Sequence, residues 1–311
     1  MKVAVVGAGA MGSIYGAMFF DAGNDVWFVD ASQPIIDAIN ENGAIITQPD
    51  GSERVYRIPA ASEPATLGQT VDAVLFQVKG FATAAAAELV RPLMTPDTIV
   101  VTLQNGLGNE DVLRAAYPEN PIVLGISVHS AAMTGPGRYH LTGVRATWLG
   151  PADPRWQSHA EWIASALSGS AYPVHVEHEH AIRREIFAKW VLNCGSLPTL
   201  ALTCLPTSEA ATNDMVLAHI DALTREACAL AAAEGYPLDA DERVAYNRDL
   251  FRTAGGKASM LQDIEAGRRT EIETISGAAV RLADKHKHPA PLSRAMLALV
   301  QGREASMAIT K

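Results

Sequence analysis

Cysteine is scarce in this chain: three residues among 311, Cys194, Cys204 and Cys228, which form neither a CxxC pair nor a metal-ligand spacing. An odd, scattered set in apolar or alanine-rich sequence excludes a disulfide framework and a zinc ribbon, and points to buried free thiols in a reducing compartment. Basic runs are missing as well. Lys and Arg number 25 against 34 Asp and Glu, for a net charge of -9, and no cationic track stands out, so nucleic acid is not an expected partner. No apolar run reaches the roughly 18 residues of a membrane span, and Lys2 with Val3 to Val6 falls far short of a signal-peptide core. A soluble, cytoplasmic protein with no membrane partner is the expectation. GxSxG, P-loop and HExxH motifs are absent, which removes the common hydrolase and phosphoryl-transfer signatures. His175, His178 and His180 do not share one face of a strand, and His286 and His288 lie with Lys285 and Lys287 at a helix C-terminus, where positive charge offsets the dipole. No metal site is expected from them.

Apolar residues, at 48%, are plentiful, enough to fill the cores of two domains at this length. At the start, KVAVVGAGAMGSIYGAMFF runs a short apolar strand, Val3 to Val6, into a glycine turn and then an apolar helix. Strand, turn and helix in this order make Gly7, Gly9 and Gly12 a dinucleotide-binding fingerprint. The first glycine permits the tight turn, the second lets backbone approach a pyrophosphate, and the third lets the helix pack closely. Ala10 and Met11 open that helix, whose N-terminal N–H groups face the phosphates. A second strand ends at Asp30, about 20 residues beyond the glycines, where an acid accepts hydrogen bonds from the adenosine ribose and repels a 2′-phosphate. NAD(H) is therefore favoured over NADP(H). A strand-end Asp that merely caps the turn through Ala31 and Ser32 is the alternative.

Short β-rich runs recur at Val3 to Val6, Val26 to Val29, Val74 to Val78, Ile99 to Leu103, Ile122 to Ser127 and Ala146 to Leu149, with Val174 to Val176 as a last strand. Helical stretches separate the early ones, the pattern of a mostly parallel sheet covered by helices. Thr134 to Arg145, rich in glycine, reads as an antiparallel excursion around Tyr139 to Leu141. Beyond His180 the periods are helical: Ile182 to Asn193, Met215 to Glu234, Glu242 to Thr253, Glu271 to Lys287 and Leu292 to Met307. The expected fold class is α/β, with a Rossmann domain over residues 1–178 and an all-helical substrate and catalytic domain over 179–311. The alanine-rich helices Met215 to Glu234 and Leu292 to Met307 could pack within a monomer or across a homodimer.

Several residues could carry chemistry. Lys189 and Asn193, in FAKWVLNC, share one helical face. A lysine in so apolar a segment loses hydration, which lowers its pKa toward that of a general acid working near neutrality. A snorkelling lysine whose stem covers apolar surface is the alternative. Thr270, Glu271 and Glu273 read as a capping box at a helix start, with Glu271 in the first turn, which dipole stabilisation alone would also explain. Asn105, in LQNGLGNE, and Lys79, at the end of the preceding strand, lie at the C-terminal edge of the sheet, where doubly wound folds bind ligands. Loop polarity is an equal explanation for both.

Taken in order, GAGAMG, QVKGF around Lys79, LQNGLGNE around Asn105, KWVLNC around Lys189 and SMLQDIEAGRRTEIE from Ser259 to Glu273 resemble the blocks of the ketopantoate reductases and related 2-hydroxyacid dehydrogenases, over nearly the whole chain. The resemblance implies a nicotinamide-dependent oxidoreductase that reduces a small 2-oxo acid to a D-type 2-hydroxy acid. By similarity, Lys189 would be the general acid and Glu271 would hold it or an ordered water. Ser259 would bind the substrate carboxylate, Asn193 and Asn105 would orient substrate and nicotinamide, and Lys79 would lie near the cofactor.

Two positions depart from the family pattern. NADPH-using members carry an Arg just beyond the second strand, where this chain has Ala31, which again favours NADH. Leu197 replaces a further Asn on the face that carries Lys189 and Asn193. An alkyl group in place of an amide disfavours a substrate hydroxyl and favours an apolar substituent, branched or aromatic. Three alternatives stay open from sequence: a true ketopantoate reductase of pantothenate synthesis, a non-catalytic NAD sensor, and a methyltransferase with a glycine-rich loop.

Overall fold

The computed structural model describes residues 1–169, 172–253 and 255–309, the side chains of 308 and 309 excepted. The chain divides into two compact units, Met1–Gln104 with Asn109–Ile182, and Asn105–Gly108 with Arg183–Lys311. The first runs β1 (Lys2–Val6), α1 (Ala10–Asp21), β2 (Asp25–Val29), α2 (Gln33–Asn42), β3 (Ala44–Thr47), β4 (Glu53–Tyr56), β5 (Ala60–Ala61), β6 (Ala73–Phe76), α3 (Thr83–Val90), β7 (Ile99–Thr102), α4 (Asn109–Ala116), β8 (Ile122–Ser127), β9 (Ser130–Gly135), β10 (Arg138–Gly143), β11 (Thr147–Pro151), α5 (Gln157–Leu167) and β12 (Val174–Val176).

Eight strands form one sheet in the order β12-β11-β8-β7-β6-β1-β2-β5. The pairs from β8 through to β5 are parallel, while β11 runs antiparallel to β8. Every residue of β6, β7 and β8 is buried, as expected of strands whose two faces are both covered by helices. The strand order reverses about β1, which pairs with β2 on one side and β6 on the other. Ligands of open α/β sheets bind outside the strand C-termini at such a reversal.

The excursion around Tyr139 is part of a second sheet, ordered β4-β3-β10-β9. It is antiparallel between β9 and β10 but parallel between β10 and β3. Neither β3, β4 nor β5 stands out in the sequence pattern. They are four residues long or fewer, and three of the four residues of β4 are exposed, so alternation has too little length to register.

The helices that follow are α6 (Glu179–Thr203), α7 (Thr207–Ala210), α8 (Asp214–Ala233), α9 (Ala240–Thr253), α10 (Ser259–Glu265), α11 (Ser276–His286) and α12 (Pro291–Ile309). Their core gathers Phe187, Trp190, Val191, Leu197, Met260, Ile272 and Ile275. Three expectations need correction here. The helix predicted to end at Asn193 continues to Thr203 with Pro198 inside it. Burial of Leu197, Leu200 and Ala201 outweighs the one backbone hydrogen bond that proline removes. The capping box at Thr270 does not form, and α11 starts at Ser276 instead. Thr270 Oγ1 accepts from the Ile272 N–H at 3.2 Å, and Thr274 Oγ1 donates to the Glu271 carbonyl at 3.1 Å. Such local side-chain bonds hold the backbone in turns that compete with helix. Of the thiols, Cys194 and Cys228 are buried, but Cys204 is exposed. It follows the end of α6 with φ of 58°, where the chain leaves the apolar core.

No helix among the described residues is long and apolar enough to cross a membrane. No group of three or more His, Cys, Asp or Glu among the described residues is placed to hold a metal ion.

Candidate active site

The turn after β1 is built by backbone constraints. Gly7 takes φ of 97°, and a Cβ there would lie 2.9 Å from the backbone of Gln77 and Val78. A Cβ on Gly12 would fall 1.8 Å from the Gly7 carbonyl oxygen. The closeness that Gly12 permits is thus to the turn itself. Gly9 differs from both: a Cβ there meets nothing within 4 Å among the described residues. The protein's own packing does not require glycine at that position, and its backbone is left open to a ligand. Gly9 also sits at the N-cap of α1 without a side-chain cap, and Gly9, Ala10 and Met11 are half-buried while the strand before them is closed off. The residues therefore fit a dinucleotide pyrophosphate.

Asp30, just past β2, reaches this turn. Its Oδ2 accepts the Ala8 N–H at 2.7 Å and its Oδ1 accepts the Ser32 N–H at 2.8 Å. The turn-capping role that sequence left open is therefore real, and it does not use up the group. A carboxylate offers about four acceptor positions, so each oxygen keeps capacity for one hydroxyl of a ribose diol. The Ala8 carbonyl accepts from Ser13 Oγ at 3.1 Å and from the Tyr139 hydroxyl at 2.7 Å.

Lys79 lies three residues past the end of β6, not at the strand end that the sequence pattern suggests, and starts a 3-10 turn over Gly80–Ala82. Gln104, which no sequence motif singles out, ties this loop down. Its Nε2 donates to the Val78 carbonyl and to Thr83 Oγ1, both at 2.8 Å. Its only signal in sequence is a polar residue closing a buried strand. Gly7, Gly9, Ala10, Met11, Gly12, Asp30 and Lys79 thus share the C-terminal edge of the parallel strands β1, β2 and β6.

In the second unit, Lys189, Asn193 and Leu197 occupy successive turns of one face of α6. Asn193 and Leu197 are buried and Lys189 is half-buried. Burial brings the Lys189 pKa down from 10.5 to about 8, and the nearby Glu271 carboxylate works in the opposite direction. Glu271 is itself only 8% exposed. Its place is fixed through the turn that follows it, because Trp190 Nε1 donates to the Ile275 carbonyl at 3.2 Å and Cys194 Sγ approaches the same oxygen at 3.6 Å. Both donors come from the helix that carries Lys189. A lysine of lowered proton affinity held with a buried carboxylate is an arrangement suited to releasing a proton near neutral pH.

Asn105 belongs to the segment that joins the second unit. That segment is pinned by the Leu107 N–H, which donates to the Thr274 carbonyl at 2.9 Å. Gly106, with φ of 84°, leaves no room for a Cβ, which would lie 2.4 Å from the same oxygen. Asn105 and Glu271 are therefore anchored through one turn. Ser259 is the exposed first residue of α10, whose Met260 and Ile264 enter the core shared with Trp190 and Leu197.

Comparison with known proteins follows the same division. The family described as Ketopantoate reductase PanE/ApbA matches residues 3–154, and the one described as Ketopantoate reductase PanE/ApbA C terminal matches residues 181–304. A 2-dehydropantoate 2-reductase of Streptococcus pyogenes serotype M6 is 30% identical over 311 residues, 99% of this chain and 100% of the relative. One from Halobacterium salinarum is 29% identical over 304 residues, 97% of this chain and 98% of its own. Among solved structures, D-mandelate dehydrogenase with NADH and anilino(oxo)acetate superimposes with a TM-score of 0.93 at 27% identity, covering 99% of this chain and 100% of that one. A PanE/ApbA family ketopantoate reductase from Ralstonia eutropha JMP134 gives 0.89 at 30% identity, with the same coverage.

Proposed function

The chain belongs to the ketopantoate reductase PanE/ApbA family, and from that membership we propose that it uses NADH to reduce a 2-oxo acid with an apolar, branched or aromatic side chain to the D-2-hydroxy acid. The family's members are pyridine nucleotide-dependent oxidoreductases acting on a CH–OH group, which sets aside the sensor and methyltransferase alternatives. The observation that carries the reaction is the lysine of lowered pKa on α6, coupled to the Glu271 carboxylate.

When bound, the nicotinamide supplies a hydride. The chain supplies the rest. Lys189, charged below about pH 8, donates a proton to the substrate's keto oxygen, so that no free alkoxide has to build up. Glu271 keeps the ammonium protonated enough to act and holds it, or an ordered water, in place. Asn193 and Asn105 orient substrate and nicotinamide through their amides, and Ser259 binds the substrate carboxylate. Gly7, Gly9, Ala10, Met11 and Gly12 present backbone N–H groups to the pyrophosphate, and Lys79 adds positive charge near the cofactor.

Asp30 carries the preference for NADH. Its two remaining acceptor positions suit a free ribose diol, its charge opposes a 2′-phosphate, and Ala31 offers that phosphate no partner. Leu197 carries the preference for an apolar substrate. D-mandelate dehydrogenase, solved with NADH and anilino(oxo)acetate, supports both choices. A second reading, reduction of ketopantoate itself, is favoured by the name 2-dehydropantoate 2-reductase borne by relatives at 30% identity. Leu197 argues against it, since a buried alkyl group leaves the substrate's hydroxyl without a partner.

Replacement of Lys189 by Ala tests the reaction. Turnover of NADH with any accepted 2-oxo acid is expected to fall about 100-fold or more, while NADH binding, followed by its fluorescence, is retained. An active Lys189→Ala enzyme would remove the proton donor from the account.

A further inference from the structure

The glycine turn concentrates three side-chain hydrogen bonds on the backbone of one residue. Ala8 stands between Gly7 and Gly9, the two most permissive neighbours a residue can have. A loop of this composition left to itself samples many conformations, and ordering it around a ligand costs affinity. Here the peptide groups on both sides of the Ala8 Cα are held. Its N–H is bonded to Asp30, and its carbonyl accepts from Ser13, on the first turns of α1, and from Tyr139. The last contact spans 131 residues and comes from β10 of the second sheet, outside the strand-and-helix alternation that otherwise builds the fingerprint.

Tyr139 is completely buried. Packing alone asks for a ring at this position; the hydroxyl adds a hydrogen bond to the turn, donated to the Ala8 carbonyl, and meets the Ser13 hydroxyl that serves the same oxygen. Burial pushes the Tyr139 pKa up to about 12, so the phenol stays a neutral donor across the working pH range.

We propose that Tyr139 is a positioning residue for the dinucleotide: through the Ala8 carbonyl, with Ser13 as second donor, it fixes the peptide planes of the Gly7–Gly9 turn in the conformation that receives the pyrophosphate. The four-stranded second sheet thereby acquires a role in cofactor affinity, as the support that carries Tyr139 to the turn. This inference rests on the reading of the glycine turn as the dinucleotide site.

The test compares two buried tyrosines. Tyr139→Phe keeps the ring and removes the hydroxyl. Tyr15→Phe removes a hydroxyl equally buried in the same unit, one that pairs with Thr147 Oγ1 at 2.7 Å rather than with the turn. NADH and NADPH binding by fluorescence titration, thermal stability, and the separate kcat and KM values are measured for wild type and both variants. The expected result is a Kd and KM for NADH raised about 3- to 10-fold in Tyr139→Phe, as loss of one neutral hydrogen bond predicts, with kcat and the 2-oxo acid KM within about twofold. Tyr15→Phe is expected to lower the melting temperature without moving the NADH Kd. Equal effects on Kd in the two variants, or none in Tyr139→Phe, would overturn the proposal. If Tyr139→Phe does not fold, Ser13→Ala, which removes the other donor on the same carbonyl, must weaken NADH binding or the proposal falls. Failure of the wild type to bind either nucleotide would instead remove the dinucleotide reading itself.

Discussion

Trp190 donates its indole N–H to the Ile275 carbonyl at 3.2 Å. This buried bond ties the helix that carries Lys189 to the turn that follows Glu271. The titration of Lys189 follows from its burial, which lowers its proton affinity, and from Glu271, which raises it.

Below about pH 8 Lys189 is charged and able to donate; above it the proton is lost. The kcat/KM for 2-oxo acid reduction is therefore expected to be flat below that break and to fall about tenfold per pH unit above it. Since Glu271 raises the lysine's proton affinity, Glu271→Gln is expected to move the break to lower pH. A pH–rate profile of both enzymes checks this, and a break that stays put or moves upward counts against the pairing.

Gly9 and Gly12 are expected to fail in different ways. Gly12→Ala puts a methyl group 1.8 Å from the Gly7 oxygen and should cost about 3 kcal/mol of stability or more. Gly9→Ala meets nothing within 4 Å among the described residues beyond its chain neighbours and should cost no more than about 1 kcal/mol, yet weaken NADH binding about 10-fold or more by keeping the pyrophosphate off the backbone. Denaturant midpoints and nucleotide titrations on the two variants separate the effects.

Asp30→Ala combined with Ala31→Arg removes a repulsion and adds a charged partner for a 2′-phosphate. The ratio of kcat/KM for NADPH to that for NADH should rise about 10-fold or more, as one charge-assisted hydrogen bond allows. An unchanged ratio would leave Asp30 only the turn-capping contacts with Ala8 and Ser32.

Leu197→Asn restores an amide on the Lys189 face. Relative preference for ketopantoate over an apolar 2-oxo acid should rise about 10-fold, with a loss of about 1–3 kcal/mol in stability because Leu197 is part of the core. Substrate competition in one assay reads the preference without reference to enzyme concentration.

Local chemistry made the strand, turn and helix from Val3 to Phe19 legible, because Gly7 and Gly12 are dictated by atoms a few residues away or on the adjoining strand. Asp30 was placed by spacing alone. What stayed hidden was decided by distant contacts. The strands β3 and β4 exist because β10 pairs with β3 from far along the chain. Pro198 sits within a helix because apolar neighbours bury it there, whereas the turns at 271–275 are a local matter, held by the Thr270 and Thr274 hydroxyls. Tyr139 could be read as part of an antiparallel excursion, but no pattern in the sequence connects its hydroxyl with Ala8. Gln104 is hidden for a similar reason, since its partners, Val78 and Thr83, belong to the neighbouring loop and helix.

The central claim is tested most directly by initial rates of NADH and NADPH oxidation at matched concentrations, with ketopantoate and with a phenyl-bearing and a branched apolar 2-oxo acid. Faster turnover of NADH with an apolar acid than of either nucleotide with ketopantoate is the predicted result. Faster turnover of NADPH with ketopantoate would contradict it, and would make Asp30 and Leu197 bystanders in the choice of cofactor and substrate.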